Sequence, residues 1–361
     1  MRHKAHKSIL KVKPYVPGKP IEEVKREFGL RDVIKLASNE SPFGPSRKVM
    51  LAIREAAKVV NRYPDGDCFL LRQELAKRLK VKPRQLVFGN GSDEIIVLAI
   101  RAFVGSGDDV VLAKPSFLVY DIASTIASAK LRPIPLKNFR YDLASMKKAV
   151  THRTKVVFLG NPDNPSGMYL PDKEVLKFLR GLRKDILVLI DEAYFEYVRA
   201  KDYGHSIGLI KQYKNVIVTR TFSKMFGLAG LRIGYGIADE GTIDLLNRIR
   251  EPFNVNSIAQ AAALAVLKDR RYYEKISRHV ETQRRYLVGK LSRLKLKPVD
   301  SCANFILIDC GKSASIVVNK LLKKGVIVRH MGFWGLKNHI RVTIGAASEN
   351  RKFINALEAV L

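Results

Sequence analysis

The chain has 361 residues, of which 47% are hydrophobic and 27% charged. This is the composition of a folded globular protein, and the length suits two domains rather than one small core. No apolar run approaches the ~20 residues that span a bilayer, which argues against a membrane protein.

The net charge of +31 is unusually high. It could reflect nucleic-acid binding, attraction of anionic small molecules, or a lysine and arginine bias of the lineage. The basic residues are spread along the chain, for example at 77–82, 268–285 and 320–324, and the longer stretches have helical periodicity. No nucleic-acid-binding motif accompanies them. We therefore attribute the charge to solvated helix faces and a compositional bias of the lineage, and expect no nucleic-acid partner.

Cysteine and histidine patterns argue against disulfides and metals. Cys68, Cys302 and Cys310 form no C-x-x-C pair, and the histidines lack metal-ligand spacing. Residues 1–11 are basic without the apolar block of a secretory signal, so we expect a solvated arm and a cytoplasmic protein. An amphipathic import peptide is the alternative at this end.

Short apolar runs rich in β-branched residues alternate with helical patterns, such as the one at 174–183. The runs lie at residues 86–88, 110–112, 156–159, 186–190, 216–219 and 233–237. Most are apolar throughout, as in strands covered on both faces, and the pattern predicts an α/β fold with a mostly parallel sheet.

The C-terminal part has a different pattern. One long amphipathic helix is predicted at 259–294, followed by strands at 304–309, 326–329 and 340–344. We predict a large domain at 45–255 and a small α+β domain at 256–361, to which residues 1–44 contribute an arm and additional structure.

Two polar turns follow predicted strands in the first half of the sheet. Residues 89–94, Gly-Asn-Gly-Ser-Asp-Glu, precede a predicted helix at 95–103, whose backbone N–H groups could hold a phosphate. Residues 160–167, Gly-Asn-Pro-Asp-Asn-Pro-Ser-Gly, stiffen the backbone with two prolines and present Asn164. Without a ligand-binding role, residues 89–94 would be an ordinary helix-capping turn and residues 160–167 a rigid turn, and both alternatives remain open.

Two further segments place ionisable groups after buried runs. Asp191-Glu192-Ala193-Tyr194 follows the run at 186–190, although a structural salt bridge could also explain its carboxylates. Thr221-Phe222-Ser223-Lys224 follows the next run and precedes Gly227, Gly230, Arg232 and Gly234. Hydroxyls, a lysine, glycines and an arginine so close together suit an anionic cofactor that is held covalently.

In this order, the four segments resemble those of the fold-type I pyridoxal-phosphate aminotransferases, over nearly the whole chain. The closest resemblance is to the histidinol-phosphate aminotransferases. It is carried by P-Y-V-P-G-K-P at 14–20, L-A-S-N-E-S-P at 36–42, R-Y-P-D at 62–65, A-N-F at 303–305, G-V-I-V-R at 325–329 and I-R-V-T-I-G at 340–345. The resemblance implies an aspartate-aminotransferase-like fold with pyridoxal 5'-phosphate as cofactor.

The resemblance also implies roles for individual residues. Lys224 is expected to form a Schiff base with the cofactor, Asp191 to pair with its ring nitrogen, and Tyr194 to tune this linkage. The remaining expected cofactor contacts are polar or aromatic: Ser92, Asp93, Phe117, Asn164, Thr221, Ser223 and Arg232. Tyr63 is expected to reach the phosphate from a partner subunit, which implies a homodimer.

The implied reaction is ping-pong transamination of histidinol phosphate with 2-oxoglutarate, giving imidazole-acetol phosphate and glutamate in histidine biosynthesis. Histidinol phosphate has no carboxylate, so one site must accept a phosphate and a carboxylate in turn. Arg329 and Arg341 would bind both anions. The resemblance adds Tyr15 and Asn39 to this substrate site.

Departures from the family pattern leave alternatives open. Asp163 and Ser166 stand where Asn and Thr are more common, and His330 and Ala346 where Asp and Thr are common. The last two lie near the substrate arginines, so an aromatic or broad-range aminotransferase and a phosphothreonine decarboxylase remain alternatives. A transcription regulator on this fold would need an additional N-terminal DNA-binding domain, and we expect an enzyme instead.

Overall fold

The computed structural model describes residues 4–14, 17–204 and 206–361. The helices are α1 (Ile21–Phe28), α2 (Arg47–Ala57), α3 (Phe69–Leu79), α4 (Ser92–Phe103), α5 (Leu118–Ile126), α6 (Leu143–Lys148), α7 (Asp172–Arg180), α8 (Glu240–Ile249), α9 (Ser257–Leu267), α10 (Arg270–Arg293), α11 (Ala314–Lys323) and α12 (Ala347–Glu358). The strands are β1 (Ile34–Leu36), β2 (Leu86–Gly89), β3 (Asp109–Lys114), β4 (Lys130–Pro135), β5 (Thr154–Gly160), β6 (Leu187–Asp191), β7 (Val216–Thr221), β8 (Gly234–Ile237), β9 (Lys297–Pro298), β10 (Phe305–Asp309), β11 (Val326–His330) and β12 (His339–Thr343).

The larger sheet has the strand order β2-β8-β7-β6-β5-β3-β4. Strands β3 to β7 are parallel, and β8 is antiparallel to both of its neighbours. Strands β2, β6, β7 and β8 are buried along their whole length because helices cover both faces. The predicted apolar runs and the mostly parallel sheet are confirmed.

One strand of this sheet, β4, was not predicted. Its sequence, Lys-Leu-Arg-Pro-Ile-Pro, contains two prolines, which cannot donate to a ladder and usually argue against a strand. It pairs with β3 alone, at the edge of the sheet, where its residues are exposed or half-buried. An edge position tolerates proline because one side of the strand needs no donors.

The smaller sheet has the order β1-β11-β12-β10-β9 and joins the N-terminal segment to the C-terminal part. Strand β1 is parallel to β11, whereas β10, β11 and β12 pair in antiparallel fashion. The predicted C-terminal strands are confirmed, and the placement of β1 agrees with an N-terminal contribution to this sheet. The domain bounds themselves stay a prediction.

The single helix predicted at 259–294 is wrong, because the structure has two helices there. Helix α9 ends at Leu267 and α10 begins at Arg270, with Asp269 between them in a non-helical conformation (φ −127°, ψ 49°). Helix α9 is rich in buried alanines and packs on α2 and α3, while α10 packs on α12 and is largely basic. The two helices therefore bury their apolar sides against different parts of the molecule, and a continuous helix could not do both.

Among the described residues, no helix is both long and apolar enough to cross a bilayer. The same residues contain no cluster of three or more histidine, cysteine, aspartate or glutamate side chains arranged to hold a metal ion.

Candidate active site

A cavity of about 470 Å³ opens where the strands of the larger sheet end. This volume is within the range of small-molecule and cofactor sites. Residues with polar groups outnumber apolar ones in its lining, which comes from both sheets: Ser38, Asn39, Ser92, Asp93, Phe117, Leu118, Val119, Tyr120, Ile122, Pro162, Asn164, Asp191, Ala193, Tyr194, Thr221, Ser223, Lys224, Arg232, Trp334 and Arg341. The side chains predicted after separate strands are thus brought together, as expected for the carboxyl ends of parallel strands.

Lys224 lies in the wall of this cavity, three residues after the end of β7. Its Nζ donates a hydrogen bond to the carbonyl oxygen of Ser38 at 3.3 Å. Desolvation in the cavity wall and the positive charge of Arg341 lower the pKa of Lys224 to about 8. A substantial fraction of this amine is therefore neutral, and nucleophilic, near physiological pH.

Asp191 is the last residue of β6 and is 6% exposed. Its Oδ2 accepts a hydrogen bond from the Tyr120 hydroxyl at 2.8 Å, and its Oδ1 accepts from the Thr219 hydroxyl at 3.1 Å and the Ala193 N–H at 3.2 Å. Burial raises the pKa of Asp191, while these donors act to lower it. A cationic group placed beside this carboxylate would favour its ionised form.

Helix α4 begins at Ser92, directly after β2 and a turn at Gly91, and its N-terminus faces the cavity. The Arg232 guanidinium lies in front of this N-terminus, where its Nη2 donates to Asp93 Oδ1 at 2.8 Å and its Nη1 to Ser223 Oγ at 3.4 Å. Helix N–H groups, the nearby hydroxyls and a guanidinium are the donors that bind phosphate groups in proteins.

Two glycines keep this phosphate cradle open. A Cβ at Gly234 would collide with the backbone nitrogen of Ser92, and one at Gly91 would collide with the Asp93 and Arg232 side chains. Gly91 also has a φ of +90°, which other residues rarely adopt. The donor set and the absence of side chains at these glycines fit a phosphorylated cofactor.

Two aromatic residues, Phe117 and Tyr194, also line the cavity. Phe117 caps the start of α5, with its ring 5.6 Å from that of Tyr120. The Tyr194 hydroxyl accepts a hydrogen bond from Asn39 Nδ2 at 2.9 Å, and burial raises the pKa of Tyr194 to about 12. This phenol is therefore protonated at neutral pH and keeps a proton that it can donate into the cavity.

Arg341 is the cation that the smaller sheet contributes to the cavity. Its Nη2 donates to the Ala37 carbonyl at 3.1 Å, and its Nη1 donates to Asn164 Oδ1. Arg329 is its partner in the neighbouring strand β11, but it is not one of the residues that line the cavity. Its guanidinium lies 5.0 Å from the centre of the Trp334 ring, and Trp334 does line the cavity.

Of the three remaining residues predicted for the site, only Asn39 is found in the cavity lining. Asn39 lines the cavity, and its backbone N–H donates to Thr343 Oγ1 at 2.9 Å. Tyr63 is 83% exposed and stacks on Phe253 instead, with ring centres 4.7 Å apart. Tyr15 lies outside the described residues. One chain therefore assembles most, but not all, of the predicted site.

Several residues in the cavity lining or in contact with it were not predicted from the sequence. Tyr120 and Thr219 contact Asp191, Ser38 accepts from Lys224, and Trp334 closes one side of the cavity. Tyr120 follows Phe117 by three residues at a helix start, a spacing that places both on one side of the helix. Trp334 is the only tryptophan of the chain, but nothing in its sequence neighbourhood indicates a site.

Comparison with known proteins places this geometry in context. The profile of the family "Aminotransferase class I and II" matches residues 31–360. The histidinol-phosphate aminotransferase of Moorella thermoacetica is 46% identical over 99% of this chain and 93% of its own length. The crystal structure of histidinol-phosphate aminotransferase from Sinorhizobium meliloti in complex with pyridoxal 5'-phosphate has a TM-score of 0.92 and 32% identity, covering 99% of this chain and 97% of that chain. Aspartate aminotransferase from Thermus thermophilus, at 22% identity, covering 99% of both chains with a TM-score of 0.86, shares the fold.

Proposed function

The chain belongs to the class I and II aminotransferase family, as a pyridoxal-phosphate-dependent enzyme, and we propose that it transaminates histidinol phosphate with 2-oxoglutarate. The observation that carries the proposal is one cavity that combines a lysine of lowered pKa, a buried carboxylate, a phosphate cradle and an arginine. The products are imidazole-acetol phosphate and glutamate.

The residues of the cavity fit the cofactor. Ser92, Asp93, Thr221, Ser223 and Arg232 would hold its phosphate through N–H, hydroxyl and guanidinium donors. Its ring would lie against Phe117, with Asp191 at the ring nitrogen and Asn164 and Tyr194 at the ring oxygen. When bound, the cofactor supplies an aldehyde that condenses with amines and a ring that withdraws electrons from the substrate.

Lys224 has two tasks in this proposal. Its amine would hold the cofactor covalently through the cofactor's aldehyde carbon between turnovers. Once displaced by the substrate amine, it would take the proton from the substrate's Cα and deliver it to that same cofactor carbon. Both tasks need a neutral amine, and burial beside Arg341 supplies it by lowering the pKa of Lys224 to about 8.

Asp191 and Tyr194 would each keep a proton at one atom, Asp191 at the ring nitrogen of the cofactor and Tyr194 on its own hydroxyl. The Asp191 carboxylate stabilises a proton on the ring nitrogen, which is the condition for electron withdrawal by the ring. Tyr194 remains protonated and can donate a hydrogen bond to the ring oxygen.

Arg341 would bind the distal anion of each substrate. In a ping-pong reaction the two substrates occupy the same cavity in turn, so this cation meets a phosphate in one half-reaction and a carboxylate in the other. Guanidinium forks bind both anions, whereas a site built only from apolar groups would bind neither. Arg329, Asn39 and Tyr15 would complete this side.

The competing activities use the same cofactor residues, so a half-reaction distinguishes them. The purified protein, loaded with cofactor, is mixed with histidinol phosphate, phenylalanine or phosphothreonine, and the cofactor absorbance is followed. Rapid bleaching by histidinol phosphate alone is the expected result. Faster bleaching by phenylalanine, or carbon dioxide release from phosphothreonine, would overturn the proposed substrate.

A homodimer is part of the proposal. Large apolar side chains on α2, on α3 and in the segment between them are exposed in the single chain: Leu51, Val59, Val60, Tyr63, Phe69 and Leu70. Tyr63 stacks on the exposed Phe253. A concentration of exposed apolar side chains in one stretch of chain commonly marks a protein interface. We expect a second copy to cover it and to bring its Tyr63 to the phosphate cradle, which sedimentation analysis of the holoenzyme would test.

A further inference from the structure

Tyr120 of α5 lines the cavity, and neither the sequence motifs nor the proposed reaction gives it a task. Its hydroxyl donates to Asp191 Oδ2 at 2.8 Å. Tyr120 is 1% exposed and Asp191 6%, so water competes little for this hydrogen bond. A buried hydrogen bond to a carboxylate is stronger than one on the surface.

The position of the hydroxyl is fixed by the packing of the ring. The Tyr120 ring stacks on Phe158 of β5, with centres 4.4 Å apart and planes 5° from parallel. The Phe117 ring lies edge-on to it at 5.6 Å. Any rotation of Tyr120 would disrupt both contacts, so the phenol has one direction in which to donate.

The protonation states agree with this direction. An ionised carboxylate can only accept, and burial raises the pKa of Tyr120 well above that of a free phenol, so Tyr120 remains the donor. The other groups that act on the charge of Asp191 come from different elements. The Thr219 hydroxyl of β7 and the Ala193 N–H favour the ionised carboxylate, and Asp93 of α4 opposes it.

We propose that Tyr120 is a positioning residue that keeps the Asp191 carboxylate ionised and oriented, so that it retains the proton on the ring nitrogen of the cofactor. The proposal deepens the proposed function and rests on the role given there to Asp191. Tyr120 acts through Asp191, which distinguishes it from a residue that only fills space.

The test is a double-mutant cycle on cofactor affinity, with Tyr120→Phe, Asp191→Asn and their combination. Each full-length protein is freed of cofactor and titrated with pyridoxal phosphate at several pH values from about 5.5 to about 8.5. The dissociation constant at each pH is obtained from the absorbance of the bound cofactor. Tyr120→Phe removes one oxygen and keeps the stacked ring. Tyr141→Phe is the matched control, because the half-buried Tyr141 donates to Asp163 at 3.1 Å rather than to Asp191.

We expect Tyr120→Phe to weaken cofactor binding about tenfold or more at neutral pH, the effect of one hydrogen bond to a charged group. Without this donor Asp191 becomes protonated at a higher pH, so affinity should fall at a higher pH than in the wild type as the solution is acidified. Tyr141→Phe should leave the midpoint of this pH dependence unchanged. In the Asp191→Asn background, Tyr120→Phe should have little further effect.

Two results would overturn the proposal. The first is that Tyr120→Phe binds the cofactor as tightly as the wild type across the pH range. The other is an equal loss from Tyr120→Phe in the wild-type and the Asp191→Asn backgrounds, since it would show that Tyr120 acts independently. A fall in thermal stability alone would not reproduce the coupling. Equal affinity of the wild type and Asp191→Asn would refute the role of Asp191 in the proposed function, and this proposal with it.

Discussion

The cofactor side and the substrate side of the cavity are built in different ways. On the cofactor side, every predicted residue except Tyr63 lines the cavity, because most of them follow the ends of neighbouring strands in one sheet. On the substrate side, Asn39 and Arg341 line the cavity and Arg329 does not. The cofactor residues come together because neighbouring parallel strands end at the same edge of one sheet, however far apart they lie in the sequence. The position of the substrate residues depends instead on how the smaller sheet packs against the larger one.

Loss of Lys224 should have the largest effect and should slow both half-reactions. We expect Lys224→Ala to lower kcat by about 10²–10⁴-fold from lost proton transfer alone. The measurement is steady-state turnover with saturating cofactor. Lys58→Ala, which removes an exposed lysine paired with Glu55, should be unaffected. Full turnover in Lys224→Ala would remove the catalytic assignment.

Arg341→Gln should impair the substrate side of the cavity and leave the cofactor side intact. We expect kcat/KM for histidinol phosphate and for glutamate to fall about 10–100-fold, because each charge-assisted hydrogen bond contributes roughly 1.5–3 kcal/mol. The absorbance of the bound cofactor should persist.

Arg329→Gln is the matched comparison for Arg341→Gln. A smaller loss in Arg329→Gln would agree with its position beside Trp334 rather than in the cavity lining. Loss of cofactor from Arg341→Gln would contradict the division into two sides.

Tyr63→Phe tests the one cofactor contact that a single chain does not assemble. We expect cofactor affinity to fall about tenfold, as for one hydrogen bond to an anion. Tyr286→Phe on α10 is the control, and titration with pyridoxal phosphate is the measurement.

Subunit mixing shows whether Tyr63 acts across the interface. A hybrid of Lys224→Ala and Tyr63→Phe subunits would contain one site with both native residues, so at limiting pyridoxal phosphate mixing should raise activity above that of either variant. If mixing restored none, Tyr63 would not act from a partner subunit.

The smallest expected effect concerns the pH dependence of cofactor capture. Because the pKa of Lys224 is lowered to about 8, its neutral fraction rises as pH rises through that value. The capture rate of pyridoxal phosphate by the cofactor-free protein should increase about fivefold from pH 7 to pH 8 and then level off. Stopped-flow absorbance would measure it, and a rate that rises tenfold per unit up to pH 10 would indicate an ordinary lysine.

Sequence patterns predicted the larger sheet and the cofactor residues because each signal is local. A buried apolar run predicts a strand, and the polar residue that follows it lies at the strand's end. Strand β4 and the break between α9 and α10 were missed because both depend on tertiary context. An edge position makes prolines tolerable in β4, and separate packing partners divide the helix pair.

Contacts between distant segments could not be predicted in the same way. Nothing in the sequence indicates that Tyr120 and Asp191, 71 positions apart, share a hydrogen bond. The family departures Asp163 and Ser166 were visible, but only the structure shows that they contact each other, with Ser166 Oγ donating to Asp163 Oδ2 at 2.9 Å. The two unusual residues therefore form one local unit.

The proline-containing strand β4 has a consequence for the protein in concentrated solution. It forms one end of the larger sheet, and an open strand edge invites another polypeptide to add itself, which is a first step toward insoluble aggregates. Pro133 and Pro135 remove amide donors from β4, while the exposed Lys130 places a positive charge on it. The sheet thereby terminates in a strand that recruits other chains poorly, and replacing these prolines should make the protein more prone to aggregate.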